Sequence, residues 1–174
     1  MPTNRDTLHD LFVTGLRNAH AVEKQALSIM TPQIARLDLY PDVADRLRRH
    51  VEETEGQIER LDELLASLDT SGSLLKDTAL SMTGGMAAMS HSLAGDEILK
   101  NSFANFAFEH FEIASYKALL VLAEDGGFAP VMTPLRQTLD EEVSMARWID
   151  EALPAVTRRY AALYAEGGSL HAKV

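Results

Sequence analysis

Cysteine is missing from all 174 residues. Its absence excludes disulfides, zinc ribbons and thiol nucleophiles together, and leaves carboxylates and six histidines as the strong metal ligands on hand. Long apolar runs are missing too. None approaches the roughly 18 to 20 residues needed to cross a bilayer, so no membrane partner is expected. The opening stretch MPTNRDTLHDLF has neither the apolar segment nor the small-residue cleavage site of a secretory signal, which makes the cytoplasm the expected compartment. Positive charge is scarce: 16 Lys and Arg face 26 Asp and Glu, for a formal net charge of -10. That balance argues against nucleic acid as a main partner, because phosphate contacts need clustered basic residues. The one local basic group, Arg46, Arg48 and Arg49, runs at once into Glu52, Glu53 and Glu55 and reads as a mixed helix face. What remains, 46% hydrophobic and 24% charged, is the composition of a soluble globular protein able to bury a core in a single domain spanning 1–174.

Apolar residues recur at helical spacing. Leu8, Leu11, Phe12, Leu16, Ala19, Leu27 and Met30 predict a long amphipathic helix over about 5–37, with Pro32 expected to kink it or break it near Met30. After the Tyr40-Pro41-Asp42 turn, Val43, Leu47, Val51, Ile58, Leu61, Leu65 and Leu68 predict a second helix ending near Asp69. The Asp-Thr-Ser-Gly-Ser run at 69–73 is loop chemistry, and the methionine-rich and glycine-containing residues 74–95 read as a weaker helix or crossover. There Met82, Met86 and Met89 suit packing better than soft-metal binding. Asp96 is placed to cap a third helix that runs to about Glu124 and stops at Gly126-Gly127. A fourth follows Pro130, with Pro154 expected to end or interrupt it and Tyr160 to Glu166 as a short last helix before a tail. No window alternates like a strand. The class is therefore all-α: a four-helix bundle of two antiparallel hairpins over about 5–153, joined by a long crossover at about 70–95, as in ferritin-like folds. Any other helical bundle would satisfy the periodicity alone.

The stretch FEHFEIASY, residues 108–116, puts ionisable groups inside an otherwise apolar helix. Glu112 is flanked at helical spacing by Phe108, Tyr116 and Leu119; Glu23 by Leu16, Ala19, Ala26, Leu27 and Met30; Glu142 by Leu135, Leu139, Met145 and Ile149. A lone buried carboxylate costs several kcal/mol unless it is paired, protonated or bound to a cation. Glu53 is different, with Arg46, Arg49, His50, Gln57 and Arg60 as helical neighbours, and judged alone it reads as a solvated acid. Register promotes it. Glu23 to Glu53 and Glu112 to Glu142 both span 30 positions, the mark of a duplicated helical hairpin. Three residues before the first three of these acids stand His20, His50 and Glu109, each on the same helix face as its partner, whereas Leu139 precedes Glu142. Two hard or borderline cations, iron or manganese, held among four carboxylates would account for the set. Arginine pairing of Glu23 or Glu142, and a surface position for His50, are the plain alternatives; His20 and His110 fit the surface or an orienting role better than ligation, His9, His91 and His171 carry no signal, and Trp148 suits the core or an interface. Tyr116, one turn beyond Glu112, either orients a carboxylate or fills the core.

The segments VEKQAL (22–27), HVEETEGQIERLDEL (50–64), EHFEIASY (109–116) and LDEE (139–142) resemble, in order and spacing over about residues 7–150, the YciE/YciF family of bacterial ferritin-like stress proteins. The resemblance implies a homodimeric ferritin-like protein with a carboxylate-bridged pair of iron or manganese ions. It implies an oxidoreductase activity toward oxygen or peroxide, of ferroxidase or peroxide-consuming type, and a role in stress. Carried over residue by residue, the implied metal positions are Glu23, Glu53, Glu112 and Glu142, with His50 and Glu109 as accessory positions. The sequence departs from the usual di-iron pattern of Glu-x-x-His on two helices: Gly56 follows Glu53 and Met145 follows Glu142 at that spacing. A metal-free helical dimer acting as scaffold, and a subunit of an iron-storage cage, are the competing readings.

Overall fold

The computed structural model describes residues 4–68 and 96–167. Four long helices account for nearly all of them: α1 (Arg5–Ile34), α2 (Pro41–Leu68), α3 (Glu97–Asp125) and α4 (Met132–Ala165), with a 3₁₀ turn at Ala129–Val131 before α4. No strand occurs among the described residues. The expected crossover, its methionines and His91, as well as the tail with His171, lie outside them.

Local chemistry sets the helix ends. Asn4 caps α1 by accepting a hydrogen bond from the Asp6 amide at 3.3 Å. Pro41 opens α2 where a missing N–H costs nothing. Gly127, at φ +70°, turns the chain between α3 and α4 in a conformation that side chains disfavour. Asp96 does not cap α3 as expected: its carboxylate forms no capping hydrogen bond and instead pairs with Lys100 at 2.8 Å. Neither interior proline ends its helix. α1 continues past Met30 and Pro32 to Ile34, and α4 continues through Pro154, absorbing the expected separate helix at 160–166. A proline removes one intrahelical bond; packing outweighs the loss, with Val156 buried and Tyr160 and Leu163 against the core beyond Pro154.

The short connections make α1–α2 and α3–α4 antiparallel hairpins, which pack mainly through α1 beside α3 and more lightly through α2 beside α4. Two contacts fix the run of α1 against α3. Gly15 lies so near Leu119 that a Cβ there would sit 2.7 Å from the leucine side chain. Toward the other end of the same contact, Gln33 and Asn105 exchange two buried amide hydrogen bonds, at 3.2 and 3.0 Å.

The apolar interior falls into two clusters. One gathers Phe12, Leu16, Leu61, Leu65, Leu119 and Leu135, with Tyr116; the other gathers Val22, Met30, Leu47, Phe108, Met145 and Ile149. Between them, near the middle of each helix, lies a layer of ionisable side chains. No described helix is long and apolar enough to cross a membrane.

Candidate metal centre

Each helix contributes to that layer. Glu23 comes from α1, His50 from α2, Glu109 and Glu112 from α3 and Glu142 from α4, and none is more than 2% exposed. The spacing of three puts Glu109 and Glu112 on one inward face of α3. The side chains fall into two groups, His50–Glu109–Glu142 and Glu23–Glu112–Glu142, within each of which the ligand atoms lie no more than 4.8 Å apart. Glu142 belongs to both.

Cations are scarce around this layer. Neither Glu23 nor Glu142 is paired with an arginine among the described residues, and the one basic member of the two groups is His50. Its Nε2 is 3.2 Å from Glu109 Oε2 and 3.8 Å from Glu142 Oε2. The nearer contact is close enough for an ion pair but misaligned for a hydrogen bond, and Glu109 Oε2 has no hydrogen-bond partner. One oxygen each of Glu23, Glu112 and Glu142 is likewise buried without a partner. Orphaned acceptors at this depth are costly.

Glu53, expected in the interior, is not in either group. It is a third exposed, and its Oε2 accepts hydrogen bonds from Arg46 at 3.0 Å and His50 Nδ1 at 2.9 Å. The contact defines the His50 ring: Nδ1–H faces Glu53, and Nε2 is turned to the interior acids. His50 stands where the repeat placed Glu53.

Other contacts hold the acids in place. Tyr116, fully buried, donates at 2.6 Å to Glu23 Oε1, so it serves an acid of another helix and not its neighbour Glu112. Gln57, also buried, donates through Nε2 to Glu142 Oε1, and at 3.1 Å to Glu141 Oε2, which Arg60 also binds. Sequence reasoning passed over Gln57 as a site residue, although it lies seven positions from His50 and thus on the same helix stripe. Arg46, which the sequence puts on a mixed helix face, is buried against Glu53. His20 turns away to Asp62 at 3.0 Å, and His110 is exposed, its ring edge-on to Phe106. Trp148 packs partly buried against the second apolar cluster.

The electrostatics follow from burial. Desolvation pushes the Glu23 carboxyl up to about 7, partly offset by its hydrogen bond from Tyr116. Glu112 rises well above the carboxylate range, first through burial and then through the charges of Glu23, Glu142 and Glu109. Glu142 rises likewise through burial and Glu109, with His50 opposing. For His50, burial favours the neutral ring, but the contacts with Glu109 and Glu53 and the charge of Glu142 outweigh it and hold the imidazole up to about 10. The layer therefore needs positive charge, from protons or from cations. Oxygen donors and one imidazole make a set suited to iron or manganese, and the unpartnered oxygens are where such ions would fit.

The sequence and the overall fold are shared with known proteins. A family model described as a domain of unknown function, DUF892, matches residues 7–162. Protein YciF of Escherichia coli strain K12 is 31% identical over 146 residues, covering 80% of this chain and 86% of the relative. The crystal structure of the E. coli stress protein YciF superposes with a TM-score of 0.73 at 26% identity, covering 91% of this chain and 99% of that one. A crystal structure of a protein from Xanthomonas campestris pv. campestris gives 0.75 at 33% identity, covering 92% and 99%.

Proposed function

The chain belongs to the DUF892 family, and we propose that it is a dimetal protein of the stress response, holding two iron or manganese ions and reacting with oxygen or peroxide. His50, Glu109 and Glu142 would hold one ion and Glu23, Glu112 and Glu142 the other. The observation that carries this reading is the set of buried, unpartnered carboxylate oxygens on three helices, gathered around a single imidazole. When bound, such a pair supplies electrons and Lewis acidity to an oxygen-derived substrate. The chain's own residues do the rest. Tyr116 orients Glu23, Gln57 orients Glu142, and Glu53 fixes the tautomer of His50 so that Nε2 is free to ligate. The two apolar clusters exclude water from either side. A cytoplasmic homodimer of single-domain subunits belongs to the same reading.

Elemental analysis of protein purified without chelator tests it. Up to two iron or manganese ions per chain are expected, and the Glu23→Ala, Glu112→Ala double variant should lose the ion that those two residues would hold, about half of the total. Metal retained in full by that variant overturns the assignment.

A second reading, a metal-free helical scaffold, is favoured by the raised carboxyl pKa values, which let protons do the work of cations. Melting with and without Mn²⁺ or Fe²⁺ separates the two, since an ion that binds only the folded chain must raise the midpoint. No shift at saturating metal favours the scaffold.

A further inference from the structure

Helix α3 carries apolar residues on its outer face as well as on its inner one. Its acids Glu109 and Glu112 and its amide Asn105 are buried, while Phe103, Phe111 and Val121 stand 55%, 40% and 57% exposed. Along the outer face, Ala107, Phe111, Ala114, Ala118 and Val121 are all exposed, in steps of four, three, four and three residues. That is the spacing of a coiled-coil seam, which a helix carries in order to meet another helix. No charged residue interrupts it.

We propose that a second copy of this chain docks on this face, α3 against α3 and antiparallel, about a two-fold axis between residues 112 and 113. In that register Ala104 meets the partner's Val121, Ala107 meets the partner's Ala118, and Phe111 meets the partner's Ala114, each layer occurring twice. The bulky ring thus falls opposite a small residue. The seam closes at both ends with opposite charges, Lys100 facing the partner's Asp125, both exposed. Lys100 Nζ already lies 2.8 Å from Asp96 of its own helix, and an ammonium has further donors for a second carboxylate. From Lys100 to Asp125 the contact runs about 37 Å at the helical rise. A two-fold interface must be self-complementary, and this sequence is so in both size and charge.

The inference names the surface for the homodimer proposed above and rests on that reading, so mass and contact are read separately. Light scattering of the full chain should give twice 19.1 kDa, and Phe111→Glu, at an exposed site, should give the single mass with unchanged helical circular dichroism. Because the chain has no cysteine, cross-links report placed thiols only. Ala107→Cys protein, mixed with Ala118→Cys protein and oxidised, should cross-link across types and not within one. Like positions would be about 16 Å apart along the pair at the helical rise, beyond the ~7 Å reach of a disulfide. A double mass without the mixed cross-link, with like-to-like cross-links, or surviving Phe111→Glu overturns the α3 seam and leaves the homodimer standing. The single mass for the unaltered chain overturns both, and the seam then belongs to another part of this chain or to an unlike partner.

Discussion

In α3 and α4, Glu112 and Glu142, thirty positions apart, both reach the interior; in α1 and α2 the counterpart pair divides, Glu23 turning in and Glu53 turning out to Arg46. The hairpins share a register and differ in what surrounds it. Arg46 lies two turns before Glu53 on the same stripe, and a base so placed captures the acid at the bundle edge. The vacated place goes to His50, three residues earlier, whose ring reaches Glu109 and Glu142. A duplicated pattern thus gives a lopsided layer, with one group of three carboxylates and one of two carboxylates and an imidazole. A helical repeat specifies which stripe faces inward. Which member of the stripe enters depends on the neighbours that compete for it.

Substitutions can break this comparison, beginning with the residue common to both groups. Glu142→Ala should remove nearly all bound metal, measured by elemental analysis, whereas a residue serving one ion should leave the other. His50→Ala comes next, with about half the metal lost. Glu53→Ala should be milder: both ions stay, and affinity falls roughly 10- to 100-fold, as when a partner that orients a ligand is removed. Equal losses for His50→Ala and Glu53→Ala by competitive chelator titration would return Glu53 to the interior.

Proton linkage sharpens the contrast between metal-free and loaded protein. Glu23 at about 7 and His50 at about 10 both hold protons more tightly folded than unfolded. Glu23 therefore stabilises fully below its ordinary 4.5 and loses that contribution as pH rises through 7; His50 does so below 6.5 and loses it through 10. Glu53, held low by its contacts with His50 and Arg46 against the effect of burial, acts the other way, with its contribution lost as pH falls. Chelated protein should melt lower at about pH 8 than at about pH 5 by calorimetry, while the gain from added Mn²⁺ should grow over the same interval because ligands must shed protons to bind. The smallest effect belongs to Tyr116→Phe, about 1 kcal/mol by denaturant unfolding.

Much of this was legible in the order of residues. Glu23, Glu112 and Glu142 stand out because a carboxylate amid leucine, phenylalanine and methionine at helical spacing has no solvent side to occupy. His50 was not decidable that way: Arg46, Arg49 and Glu53 share its surroundings, and only the fold shows that the ring faces inward. The break that helix chemistry allows at Pro32 and at Pro154 is absent for a related reason, since burial of Gln33 and Val156 carries each helix onward. The apolar residues on both sides of α3 are visible in FEHFEIASY, but which face is inner depends on helices far away in the chain.

The reciprocal amides of Gln33 and Asn105 work as a detent. Packed apolar helices can slip by a turn, about 5.4 Å, at modest cost, because one leucine replaces another. Two hydrogen bonds that must be remade together cannot slip so cheaply. Set at one end of the α1–α3 contact, they index the helices against each other, and Glu23 and Glu112 arrive at the same depth every time the chain folds.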